Sequence, residues 1–141
     1  MSIGSAVAIA ATFLWLGMVT AISFMEAPLK FRAPNATIPI CLGIGRLVFR
    51  ALNSAELVLA AAIAASFVSE RPTAPIVVTF AVAVTMLLAQ LVAVRPGLSR
   101  RADQVLSGLD APRSRAHYAY VGLELIKVAA LVPLGILLLS R

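Results

Sequence analysis

Two short stretches set ionisable side chains at helical spacing inside otherwise apolar sequence. In the first, Arg46, Arg50, Asn53 and Glu56 follow at intervals of four, three and three residues. In the second, His117, Tyr120, Glu124 and Lys127 follow at three, four and three. At about 100° per helical residue, the first set falls within one arc of about 120°. Charges in an apolar stretch are costly and need partners. Glu56 lies about 13 residues into its stretch and Lys127 about 10 into the other, or roughly 20 and 15 Å at the helical rise. The two are therefore expected to meet, with Glu124 a turn shallower and paired with Arg50 or Arg46. An intramembrane network of Arg46, Arg50, Asn53, Glu56, Glu124 and Lys127 can line a path for a ligand or ion. It can equally do no more than hold two helices in register, and periodicity fits both. His117, whose type titrates near neutrality, is a candidate proton acceptor or axial haem ligand, with Tyr120 beside it. It also suits the start of a helix at an interface, and one histidine per chain gives bis-histidine ligation only in a dimer.

The elements that must position these residues follow from composition. Of 141 residues, 61% are hydrophobic and 13% charged. A soluble domain carries about 45–50% apolar and about 25% charged residues, so this chain has more apolar surface than a water-soluble fold can hide. The bilayer is the natural solvent. Four apolar segments span about residues 3–25, 40–69, 76–94 and 117–139. Each approaches or exceeds the roughly 20 residues of one helical crossing. A β-barrel would need many strands of about 9–11 residues with alternating polarity, and that pattern is missing. The first segment lacks the positive flank of a signal peptide and exceeds the usual 7–15-residue apolar core, so it reads as a retained helix. The expected architecture is a single all-α integral membrane domain, residues 1–141, built as a four-transmembrane-helix bundle.

Two long connections, about residues 26–39 and 95–116, carry most of the charge. The first holds an interfacial motif, Glu26, Pro28, Lys30 and Arg32, in which Pro28 and Pro34 break regular structure. The second holds Arg95, Arg100, Arg101, Arg113 and Arg115, with a short amphipathic helix near residues 99–109 lying on the membrane surface. The opposite side has only Arg71 and Arg141. The positive-inside rule puts both connections in the cytoplasm and both termini on the non-cytoplasmic side, and the Ala- and Arg-rich composition fits a multi-pass protein of a bacterial inner membrane. The net charge of +6 is then met by anionic headgroups rather than nucleic acid, for which no recognition module is present.

Other chemistry finds no support. The single Cys41 forms no disulfide within the chain and reads as an inert buried thiol. One Cys and one His exclude structural zinc, and neither a metal nor a cofactor is expected. No phosphate loop or nucleophile–base arrangement appears, so no catalytic residue is assigned. Trp15, Phe31, Phe49 and Tyr118 read as belt or packing aromatics, and Gly17, Gly43, Gly45 and residues 60–65 as close-packing small residues.

One resemblance adds to this. Gly17, Phe24, Ala27-Pro28 and Phe31 in LWLGMVTAISFMEAPLKFRAP, then Gly45-Arg46 and Phe49 in GIGRLVF, form a recognisable pattern. With AHYAYVGLELIKVAAL near the end, the chain resembles an uncharacterised family of small bacterial membrane proteins related to the transmembrane-protein-205-like proteins. That resemblance implies four membrane helices, a last helix opening with a histidine, and no agreed biochemical activity.

The expected function is a carrier or channel for a small molecule or ion, with the charged stripe of the second and fourth helices on its path. The partners expected for it are further copies of itself in a homo-oligomer or another membrane protein. The alternative is a non-catalytic accessory or scaffold subunit of a larger membrane complex. A haem- or quinone-linked membrane oxidoreductase is the third reading.

Overall fold

Each long apolar run forms one helix. The computed structural model describes residues 2–108 and 115–141, leaving aside the side chains at 99, 101 and 115–117. Among the described residues are four long helices and no strand: α1 (Ile3–Lys30), α2 (Ile38–Ser69), α3 (Ala74–Leu106) and α4 (Arg115–Ser140). All four are long and apolar enough to cross a membrane. Their starts are set locally. The Ser2 and Thr37 side chains accept from the N–H groups of Ser5 and Ile40, giving partners to first-turn donors that the helix leaves open. Proline occupies the first turn of α2 and α3, where its missing N–H costs nothing. In the turn before α2, Asn35 takes φ +65°, a left-handed conformation that asparagine tolerates.

The helices run up, down, up, down. Ser2, Ser5, Glu70 and Arg141 gather at one end of the bundle, and Lys30, Cys41, Arg46 and Asp103 at the other. α1 packs against α2 and α4, α4 packs against α3, and the last part of α3 returns to α2, so α2 and α4 face each other across the bundle axis. At one contact the Phe13 ring lies where a Cβ on Gly135 would stand, 2.7 Å from its nearest atom, so α1 and α4 approach closely there. Gly17 and Gly43 face open space and are not points of close approach. The polarity of the bundle is inverted relative to a soluble protein. Leu47, Val58, Val92, Leu125 and Ile136 are exposed, while Glu56, Gln90, Glu124 and Lys127 are buried.

Two helix ends differ from expectation. α1 continues to Lys30 rather than stopping near Met25, and α3 continues to Leu106 rather than stopping at Val94. The expected separate surface helix is the last part of α3, while Asp110 and Arg113 lie outside the described residues. Each helix crosses its proline through a π-helical segment, Thr20–Glu26 in α1 and Gln90–Val94 in α3. In each, the residue before the proline donates its N–H five positions back, Ala27 to Ile22 and Arg95 to Gln90. A proline ring clashes with the carbonyl four residues behind it and offers it no N–H. The wider turn relieves that clash, so Pro28 and Pro96 do not end their helices.

At the end where α1 begins, the Ser5 and Ser2 hydroxyls donate to Glu70, and Arg141 lies 3.4 Å from it. These hydrogen bonds, with Arg141 adding less, hold the Glu70 carboxyl below its ordinary range. A depressed folded pKa stabilises fully above the unfolded value, about 4.3 for glutamate, and the contribution disappears as pH falls through the lower folded value. Thermal midpoints of the protein and of Glu70→Gln should therefore differ near neutrality and converge in acid. A gap independent of pH would contradict this assignment.

Candidate functional site

The bundle centre is polar. Lys127 Nζ on α4 donates to Glu56 Oε2 on α2 at 2.5 Å and to Gln90 Oε1 on α3 at 2.6 Å, and forms an ion pair with Glu124 Oε1 at 2.5 Å. Two of the three N–H groups of the ammonium are thus hydrogen-bonded, and Glu124 is held beside it by charge. The Gln90 amide turns its nitrogen the other way, donating to Glu124 Oε1 at 2.6 Å and to the Tyr120 carbonyl at 3.3 Å. From α1, Trp15 Nε1 donates to Glu56 Oε2 at 3.1 Å and Ser23 Oγ to Glu124 Oε2 at 2.5 Å. The Tyr120 hydroxyl donates to Asn53 Oδ1 at 3.4 Å. All four helices contribute, and two carboxyls share one ammonium. Asn53 Nδ2 and Glu56 Oε1, one turn apart on α2, have no hydrogen-bond partner among the described residues.

The π-helical segments carry two of these groups: Ser23 lies within the first, and Gln90 opens the second. A π turn shifts the later residues of a helix relative to a regular one. In this bundle both shifts occur at the level of Glu124.

The structure separates the residues that the sequence grouped. Glu56 meets Lys127 across the bundle axis. Glu124 does not pair with Arg50 or Arg46: its partners are Lys127, Gln90 and Ser23. Arg46 instead reaches Asp103 on α3 at 2.6 Å, and the Arg50 side chain is exposed. The reason is depth. Arg46 stands ten residues before Glu56, about 15 Å along the helix, beyond the reach of the cluster. Of the interfacial motif, Glu26 closes the first π-helical segment, Pro28 lies in the last part of α1, and Arg32 is exposed in the turn. Lys30 points into a cavity. The side chain of His117 lies outside the described residues.

Three members of the cluster were not singled out by sequence: Trp15, Ser23 and Gln90. Gln90 had a signal, because a primary amide in a long apolar helix must find partners as a charge must. The Trp15 indole, apolar apart from one N–H, had a weaker form of the same signal.

Above the cluster, at the end where α1 finishes and α2 begins, lies a cavity of about 420 Å³. This is within the range of small-molecule sites, about 300–1,000 Å³. Phe24, Phe49, Leu98 and Val121 line it, with Lys30, Arg46 and Arg95 as its cations. The Phe49 and Tyr120 rings meet edge to face with centroids 5.5 Å apart, fixing one wall. Glu124 is a lining residue as well as a member of the buried cluster, so cavity and cluster are continuous.

No family model, no curated protein and no solved structure matches the chain.

Proposed function

We propose that this chain is a multi-pass protein of the bacterial inner membrane that carries a small molecule or ion, with the cavity as its loading site. Four helices of sufficient length and apolarity, and an apolar exterior around a polar centre, support the membrane setting. Placing the Lys30, Arg46 and Arg95 end toward the cytoplasm follows the positive-inside rule and leaves both termini on the other side.

Glu124 is the observation that carries the reading. It lines the cavity and also bonds to Lys127, Gln90 and Ser23, which belong to α4, α3 and α1. An occupant touching Glu124 competes for the contacts that hold three helices together. A ligand that binds one helix arrangement better than another shifts the balance between them, which is what a carrier requires. A pair that served only as scaffold would gain nothing from opening onto a cavity.

The test is flux. Proteoliposomes should pass one class among a labelled panel of small organic anions, cations and neutral solutes faster than empty vesicles do. Gly45→Phe should return that flux to background, because even a Cβ at Gly45 would stand 2.8 Å from Lys30 Nζ and a ring there fills the cavity. Flux no greater than that of empty vesicles for every solute removes the carrier reading and leaves the accessory-subunit role.

A further inference from the structure

We infer that the cavity takes an amphipathic anion: a carboxylate or phosphate head held between Lys30 and Arg95, with an apolar body along the aromatic wall. This rests on the carrier reading of the same cavity and names its ligand class.

Lys30 is the first ground. Its side chain is 12% exposed, and its nearest carboxylate oxygen, on Glu26, is 3.9 Å away, too far for a hydrogen bond. Its Nζ makes no hydrogen bond among the described residues and lies 5.8 Å from the centroids of both Phe31 and Phe49. Aromatic faces attract an ammonium without satisfying its three donors. Gly45 supplies the space, since any side chain there would meet the ammonium.

Arg95 is the second. Its guanidinium donates to the Arg46 carbonyl at 3.3 Å, and no carboxylate lies within ion-pair distance of it among the described residues. A guanidinium presents a planar fork of donors that matches a carboxylate or phosphate.

Charge balance is the third. Of the cations lining the cavity, Arg46 is paired with Asp103, which leaves Lys30 and Arg95 beside one lining acid, Glu124, itself already paired with Lys127. A cationic ligand would find no available acid among the lining residues, and a wholly polar anion would leave Phe24, Phe49, Leu98 and Val121 uncovered. One molecule with an acidic head and a short apolar body meets both requirements. Such a molecule can be a membrane lipid or a soluble metabolite, for the head chemistry is shared.

Titration calorimetry on the full chain in phosphatidylcholine nanodiscs tests this with four probes of one chain length: octyl phosphate, octanoate, octyltrimethylammonium and octanol. The two anions should bind, and the other two should not. Lys30→Met and Arg95→Met should each weaken octyl phosphate by about tenfold or more, the value of a charge-assisted hydrogen bond, and Lys30→Arg should retain binding. Equal binding of all four probes, or unchanged affinity in folded Lys30→Met and Arg95→Met, overturns the inference. Where a variant fails to fold, the comparison of heads on the unaltered protein still decides. Nanodiscs containing phosphatidic acid separate the sources: loss of the octyl phosphate titration identifies a lipid head, and persistence identifies a soluble anion. Binding without flux sinks the carrier and keeps the ligand class. Flux of a cation or neutral solute without anion binding does the reverse.

Discussion

Lys127→Met is expected to lower the stability of the protein in detergent micelles by about 3–5 kcal/mol, the usual cost of removing one partner from a buried ion pair. The size of the effect comes from the charges left behind. Glu56 and Glu124 are both buried, and Lys127 is the only cation within ion-pair distance of either among the described residues. Methionine occupies similar volume, so packing changes little and the loss is electrostatic. Glu56→Gln should be milder, because Lys127 keeps Glu124 and the Gln90 oxygen. The triple variant with Glu56→Gln and Glu124→Gln should recover more than half of the loss, since a neutral polar cluster has no uncompensated charge. Denaturant unfolding followed by Trp15 fluorescence measures all three, because its indole donates to Glu56 and reports the cluster directly. A Lys127→Met protein within about 0.5 kcal/mol of the original, the range of an inconsequential surface change, would show that the cluster has no net effect on stability.

The cluster also shows which parts of the arrangement are written in the sequence. The spans are, because apolar runs of this length have few alternatives to a crossing helix. The pairing of Glu56 with Lys127 follows from depth, since two helices entering from one side bring residues of similar rise to one level. Depth does not identify the neighbours on the other helices. Gln90 and Ser23 arrive from α3 and α1, and Asp103 reaches Arg46 because α3 runs on past Pro96. That continuation was invisible to a strict helical period, which treats each proline as an end. The cavity was equally hidden, because it is formed by residues from four helices and no one stretch contains its shape.

The prolines themselves supply the second large effect. Pro28→Ala together with Pro96→Ala is expected to abolish ligand binding in the cavity while the folded protein becomes no less stable. Proline in a helix interior costs about 3 kcal/mol or more through the lost hydrogen bond and the ring clash, so alanine favours a regular helix at both places. A regular helix has no π-helical turn. The residue numbering then advances by one position within each helix, turning its later residues by about 100° relative to its earlier ones. Trp15 stays where the core of α1 holds it, but Lys30 beyond the first segment rotates off the cavity wall, and Arg95 beyond the second does the same. Octyl phosphate titration and thermal unfolding on the same sample measure the two halves of the prediction. Retained binding would mean that packing against α2 and α4, rather than proline, enforces the wide turns. Lost binding with an equal or higher midpoint would mean that the prolines hold the helices in a register which folding alone does not require and the cavity does.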